Sequence, residues 1–392
     1  MRLMLVWEYY RDYWESFYAR HPGTAAQPYQ VQLSRLLDDH FGWPAAVARR
    51  LGESGHQVFH ALANVEPLQR KWAEEEGRPF EPGAWNFTLP LAQARAFRPD
   101  VLWIGALFRY YGGFLREMRK LCPRVVAWIA CPTPRRLDLS RIDLVLTSHE
   151  NLAAAFRQAS RRCVVLRPAF DSRILEALPP AERDLAFSFV GSYSSFHRKR
   201  MQVLEGAVRE TPLQLWGQGP LAAPGLWGWR SAAKRLLTNY HKGHRDHGER
   251  RGRVSSFLCG LCGNPLLEAR YQGPAWGLEM YRVLQRSRLT LNVHGDIAGG
   301  LAGNMRLFEA TGMGAMLLTE AAPNLPELFT PGAEVVAYRD AGELVVAVKH
   351  YLEHDDERER IARAGQARTL KEHNALRRSQ ELVALLDELK PH

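Results

Sequence analysis

A chain of 392 residues exceeds what one hydrophobic core usually serves, so two domains of roughly 150–200 residues are expected. With 46% hydrophobic and 24% charged residues, and no apolar run near the roughly 18–20 residues of a spanning helix, the composition is that of a soluble globular protein rather than a membrane-embedded one. The formal net charge of +10 favours anionic partners, whether nucleotides, nucleic acid or anionic lipid, without choosing among them. The apolar stretch before the charges of MRLMLVWEYYRDYWE is too short for a secretory signal. Five scattered cysteines, an odd number, suit a reducing compartment rather than a disulfide framework, and a cytoplasmic location is expected.

In chain order, Arg2–Trp7 reads as a buried strand that enters an aromatic, charged loop from Glu8 to Tyr18. The aromatic residues there suit either core packing or stacking on sugars. A helical pattern runs from about Tyr29 to Leu51 and stops at Gly52 and Gly55. A strand at His56–Leu62 and a polar helix near Pro67–Glu76 follow. Strands are then expected at Val101–Ile104, Val125–Ala130, Leu144–Thr147 and Cys163–Leu166, with helices near Gly113–Leu121 and Asn151–Ala159 between them. Such alternation predicts a parallel sheet with helices on both faces.

Turn signals between Pro168 and Pro180 mark a connection, after which a second alternating series begins at Leu185–Val190. Its later strands are placed near Leu213–Trp216, Leu289–Val293, Ala315–Leu318 and Glu334–Ala337. Helices at Gly342–Leu352, Asp356–Glu372 and Leu376–Leu389 close the pattern. The expected domains are 1–170 and 181–375, with 376–392 as a helix packing back on the first. The stretch Trp227–Arg253 interrupts the alternation with eight Lys or Arg, two acids and three histidines, and reads as an insertion or flap.

Residues 289–318 are the most informative. An apolar strand opens into a loop carrying Gly295, Gly299, Gly300 and Gly303, followed by a short helix, Asn304–Met313, and a second apolar strand. This βαβ unit presents a helix N-terminus to an anionic ligand. Arg306 and Glu309, three apart, share one face of that helix. A cation for phosphate beside a carboxylate for sugar hydroxyls suits a nucleotide sugar.

NMRLFEATGMGAMLLTE, LPELFTPGAEVVAY and ERERIARAGQAR, preceded by RVLQRSRLTLNVH, FVGSYSSFHRKR and LQLWGQGP, resemble the C-terminal domain of CgeB-like glycosyltransferases of the GT-B class. The resemblance covers about residues 185–375. It implies an α/β protein of GT-B architecture, two Rossmann-like domains facing a cleft with a helical C-terminus. The first domain would take the acceptor and the second a nucleotide-sugar donor, of UDP or GDP type. Glu309 matches the carboxylate that holds the donor's ribose, while Gly191 and Ser192 would lie near the diphosphate with Arg198 and Arg200 as cations. Asn304, Gly303 and Trp216 complete the expected donor-side set. Related retaining enzymes carry a second Glu eight positions before the matching one; here that position is Leu301, which leaves the stereochemistry open.

The chemistry agrees with this set. The leaving nucleoside diphosphate gains negative charge, so preorganised cations and N–H groups lower the barrier. Arg306 and His294 are the expected catalytic groups. An inverting reaction would add a general base, for which Glu8, Asp12, His149, His294 and Asp296 are candidates. The chain holds no Asp-x-Asp, so metal-independent transfer is expected, with no cofactor. Cys259-x-x-Cys262 with His241, His244 and His247 upstream is too sparse a signal for zinc. The basic 227–253 stretch suits a flap or peripheral contact with anionic membrane, and no nucleic-acid partner is expected. The competing readings are a nucleotide-sugar epimerase of the same fold and a non-enzymatic protein that binds polyanions or a membrane surface.

Overall fold

The structure is a computed structural model that describes residues 1–134, 137–193, 198–218 and 264–389. The expected features at 227–253 and at Cys259 and Cys262 lie outside those residues. By internal packing the chain forms two compact units, Met1–Arg167 with Arg378–His392, and Pro168–Arg377. Among the described residues no helix is long and apolar enough to cross a membrane.

The first unit is built on six parallel strands: β1 (Arg2–Trp7), β2 (Gln57–Leu62), β3 (Val101–Ile104), β4 (Arg124–Trp128), β5 (Leu144–Thr147) and β6 (Cys163–Val165). Their order is β2-β1-β3-β4-β5-β6. Runs such as VLWI and LVLT are buried at every position, as a sheet covered on both faces requires. Met4, Val6, Leu102, Ile104, Leu115, Met118 and Val125 share one core cluster. Chain order reverses between β1 and β3, so the strand edge just after Trp7 is where such sheets bind ligands.

The second unit repeats the architecture with β7 (Leu185–Val190), β8 (Leu213–Trp216), β9 (Tyr271–Gly273), β10 (Ser287–Asn292), β11 (Met316–Glu320) and β12 (Val336–Tyr338). The order β12-β11-β10-β7-β8-β9 is the Rossmann order 3-2-1-4-5-6 counted within the unit. The reversal falls between β7 and β10, which pair in parallel through Leu289↔Phe187 and Thr290↔Ser188. Phe187, Leu213, Leu215, Leu289, Leu291 and Met316 fill one face of this sheet, and Leu307, Phe308 and Leu317 belong to the cluster on the other.

Three expectations need correction. Within the expected loop Glu8–Tyr18 lies the start of a helix, Arg11–Arg20: Tyr13 and Phe17, four apart, bury one face, and Arg11 pairs with Glu15 at 2.6 Å on the other. The single helix expected over 29–51 is two, Tyr29–Asp38 and Trp43–Glu53. His40 and Gly42 stand between them at φ 53° and 89°, a left-handed backbone that no helix can pass through. β11 continues past Leu318 to Glu320, which carries a charged residue onto the strand edge. A further helix, Trp85–Phe97, was not anticipated, because Pro90 lies inside it and reads as a breaker.

Two outcomes follow from this packing. Gly365 lies inside the helix Asp355–Glu372, where an added Cβ would stand 2.3 Å from the Glu334 carbonyl oxygen. Gly365→Ala should therefore lower stability by about 1–2 kcal/mol despite its better helix propensity, read as a fall of several degrees in Tm. In the first unit burial, with the Arg49 charge adding to it, pushes the His60 imidazole down to about 4. The unfolded chain takes up that proton below about 6.5, so the His60 contribution is complete above that pH and is lost as pH falls towards 4. Urea midpoints should drop between pH 7 and 5, and His60→Gln should make the drop shallower.

Candidate functional site

The carboxyl edge of the second sheet gathers the polar residues that its strands cannot bury. β7 runs out into Gly191 and Ser192, β10 into Val293 and His294, and β11 ends on Thr319 and Glu320. Gly191 continues the β7–β8 ladder by donating its N–H to the Trp216 carbonyl at 3.0 Å. Gly217 (φ 127°) comes so close behind it that a Cβ would stand 1.9 Å from the Gly191 carbonyl oxygen. Trp216 is half-buried, and its carbonyl also accepts from the Tyr193 hydroxyl at 2.7 Å.

Arg200, in the first turn of the helix Arg198–Glu210, bridges the reversal. One Nη donates to the carbonyl and hydroxyl of Ser192 at 3.1 and 3.2 Å, and the other reaches the Val293 carbonyl at 3.4 Å. Burial is the main reason its pKa is drawn below the ordinary arginine range; Asp296 and Tyr193 oppose this, and Arg306 repels it. Arg198 is exposed at the start of the same helix. Lys199 pairs with Glu320.

The loop 295–304 enters the helix Met305–Gly312 with Gly299, Gly300 and Gly303 at φ 61°, 83° and 152°. Asn304 occupies the N-cap position without capping. Its amide instead forms a reciprocal pair with Asn292 at 2.6 and 3.2 Å and lies 3.2 Å from His294 Nδ1. The Leu307 N–H turns back to the Asn304 carbonyl at 3.2 Å, and no side chain caps the N–H groups of Met305 and Arg306 ahead of it. His294 Nε2 lies 3.0 Å from the Glu320 carbonyl and Nδ1 3.2 Å from Asn304 Oδ1, so both ring nitrogens face acceptors. Burial lowers the His294 pKa, against the opposing pull of Asn304 and Glu320.

Arg306 and Glu309, placed on one helix face by their spacing and expected to meet a ligand, form an ion pair with each other at 3.0 Å, both largely withdrawn from solvent. The other Glu309 oxygen faces the Tyr281 hydroxyl at 3.4 Å. Arg306 Nη1 also contacts Met280 Sδ at 2.9 Å. The Nε atoms of both Arg200 and Arg306 are buried without a hydrogen-bond partner among the described residues. Two half-buried guanidiniums repel each other, only Arg306 has a carboxylate partner, and each keeps a buried Nε–H that an added anion would satisfy.

The structure thus brings Gly191, Ser192, Arg200, Trp216, His294, Asp296, Gly303, Asn304, Arg306 and Glu309 to one strand edge of the second unit, with Asp296 exposed there. Glu8, Asp12 and His149 belong to the first unit. Glu8 follows β1 at the order reversal, pairs with Arg109 Nε at 2.7 Å, and accepts from the Tyr110 hydroxyl at 3.4 Å. Burial raises its pKa although Arg109 opposes the shift. Asp12 is half-buried in the first turn of Arg11–Arg20, and His149 is buried ahead of the helix Glu150–Gln158. Sequence reasoning missed Asn292, Tyr281 and Glu320. For Glu320 the signal was the apolar run continuing through Thr319.

A family model described as glycosyl transferase-like matches residues 171–384. Among solved structures, Anabaena HepE in complex with UDP is 13% identical; the match covers 99% of this chain and 100% of that one with a TM-score of 0.53. Sucrose-phosphate synthase from Thermosynechococcus elongatus is 12% identical over 99% of this chain and 98% of its own, with a TM-score of 0.52. AviGT4, a glycosyltransferase involved in avilamycin A biosynthesis, is 14% identical over 99% and 98%, also with a TM-score of 0.52. No curated protein sequence matches the chain. At these identities the structural likeness speaks to fold, and the fold is GT-B.

The paired guanidiniums make a direct prediction. Inorganic pyrophosphate should raise the Tm of the full chain, and Arg200→Gln should weaken pyrophosphate about tenfold or more, the loss of a charged hydrogen bond worth about 1.5–3 kcal/mol. Equal affinity in a calorimetric titration of the two proteins would count against Arg200 as an anion ligand.

Proposed function

Since the chain belongs to the glycosyl transferase-like family and is a GT-B glycosyltransferase, we propose that its second unit binds a nucleoside-diphosphate sugar at the edge of β7, β10 and β11 and transfers the sugar to a hydroxyl acceptor. The observation that carries this reading is the pair of half-buried arginines, Arg200 and Arg306, whose buried Nε–H groups are unused among the described residues at the order reversal. Glu309 already offsets the Arg306 charge, whereas Arg200 meets only the neutral oxygens of Ser192 and Val293, so a diphosphate supplies the negative charge and the acceptor oxygens still missing. UDP is the first nucleotide to test, because HepE, of the same fold, has been solved with UDP and with UDP-glucose. The order of the sequence motifs supports the narrower CgeB-like assignment.

Transfer lengthens the bond between the anomeric carbon and the diphosphate oxygen, and charge accumulates on that oxygen. Arg200 is already fixed by Ser192 and Val293, so it meets the charge without reorganising. Arg306 and the first N–H groups of Met305–Gly312, which no side chain caps, act from the other side. These groups supply the positive charge that a divalent metal supplies elsewhere, and we take the reaction to be metal-independent. Glu309 has lone pairs beyond those used by Arg306 and Tyr281, with which it accepts from the ribose hydroxyls. His294 and Asn304 hold the entrance of that helix. On the acceptor side we place the first unit, with Glu8 as the acid at its own strand-order reversal.

A thermal-shift series with UDP, GDP, CDP and dTDP, followed by calorimetry on the best, tests the reading. Glu309→Ala should raise the dissociation constant of that nucleotide at least tenfold while leaving pyrophosphate binding undiminished, because Arg306 remains. No response to any of the four nucleotides by the wild type overturns the proposal.

A further inference from the structure

Glu320 is a buried carboxylate, 6% exposed, at an edge built to receive anions, and neither the fold nor the arginine pair accounts for it. The ladders of β11 are complete without its side chain, since β10 and β12 pair with it on either side. Its ion-pair partner Lys199 is 59% exposed and does not need a buried counterion. Burying a carboxylate costs more than one solvated lysine returns, so the position is poor as a stability device. Its two oxygens are also held differently. Oε2 accepts from the fixed backbone N–H of His294 at 3.2 Å, whereas among the described residues Oε1 pairs only with the flexible ammonium of Lys199.

We propose that Glu320 is the residue that recognises the sugar of the donor, accepting hydrogen bonds from glycosyl hydroxyls through Oε1. The inference rests on the nucleotide-sugar reading above. A lysine ammonium is a point charge on a long stem, so an arriving diphosphate draws it away from Oε1 without moving the backbone. The freed oxygen is then an ionised acceptor, the type that binds hydroxyls most strongly. The other acids on this edge differ: Glu309, held by Arg306 and Tyr281, is assigned to the ribose, and Asp296 is exposed. Leu301, on the loop leading to Met305–Gly312, offers no acceptor. Ala302 on the same loop is tied to Asn324 by two hydrogen bonds of 2.8 Å, which anchors the loop to the segment following Glu320.

The test compares each nucleotide with its sugar-bearing form. Full-length wild type and Glu320→Gln are titrated calorimetrically with UDP and UDP-glucose, and with GDP and GDP-mannose. The substitution keeps the side-chain volume and an oxygen for the His294 N–H. The variant should bind the nucleoside diphosphate within twofold of wild type and the matching nucleotide sugar at least tenfold more weakly. Glu320→Asp, with its shorter reach, should fall between them. Equal weakening of both ligands would mark a structural role and overturn the proposal, as would unchanged affinity for both. If the wild type binds none of the four ligands, the nucleotide-sugar reading falls and this inference with it. If the wild type binds them normally and Glu320→Gln shows no split, only the role of Glu320 is lost.

Discussion

The guanidinium of Arg200 ties the end of β7 to the end of β10, reaching Ser192 on one side and the Val293 carbonyl on the other. Those strands are neighbours in space but lie about a hundred residues apart in sequence, and the strand order of the sheet reverses between them. A parallel sheet leaves its last carbonyls unpaired at that point, because the connections leave in opposite directions. Arg200 supplies the missing donors. The same group therefore closes the sheet and charges the opening, and the site takes its position from the topology of the sheet.

Around it, each neighbouring polar residue gives up a local bond for a distant one. Asn304 leaves its own helix uncapped and pairs with Asn292. Asn292 also donates to Thr319, and the Tyr338 hydroxyl reaches its carbonyl at 2.8 Å. The His294 ring lies between Asn304 Oδ1 and the Glu320 carbonyl. The network joins β10, β11, β12 and the helix Met305–Gly312 through satisfied side chains, so the groups that are not satisfied stand out. They are the cations and the helix N-terminus, which share one ligand preference.

Much of the second unit was legible because its signals are local. The glycines of 295–303, the apolar runs on either side and the i,i+3 spacing of Arg306 and Glu309 lie within thirty residues of one another. That those two residues share one helix face was accordingly readable. The roles of Tyr281 and Glu320 were not, because each reaches the site from its own element and neither looks unusual in its own segment. In the first unit the helix Arg11–Arg20 was hidden by its charges, since only Tyr13 and Phe17 are buried along it. The break at His40 was equally silent: a left-handed histidine leaves no mark in a pattern of apolar spacing.

The division of the chain has a consequence for the order of events during synthesis. Residues 1–167 emerge from the ribosome first, yet their unit also contains Arg378–His392. Arg378 bonds the Arg167 carbonyl at 2.9 Å, and Arg124 reaches the carbonyl of Leu386 at 3.2 Å. The first unit therefore waits, with one side of its packing open, while all of Pro168–Arg377 is translated. The second unit is contiguous and has no such debt. Of the two, the half made later is the one free to finish folding first.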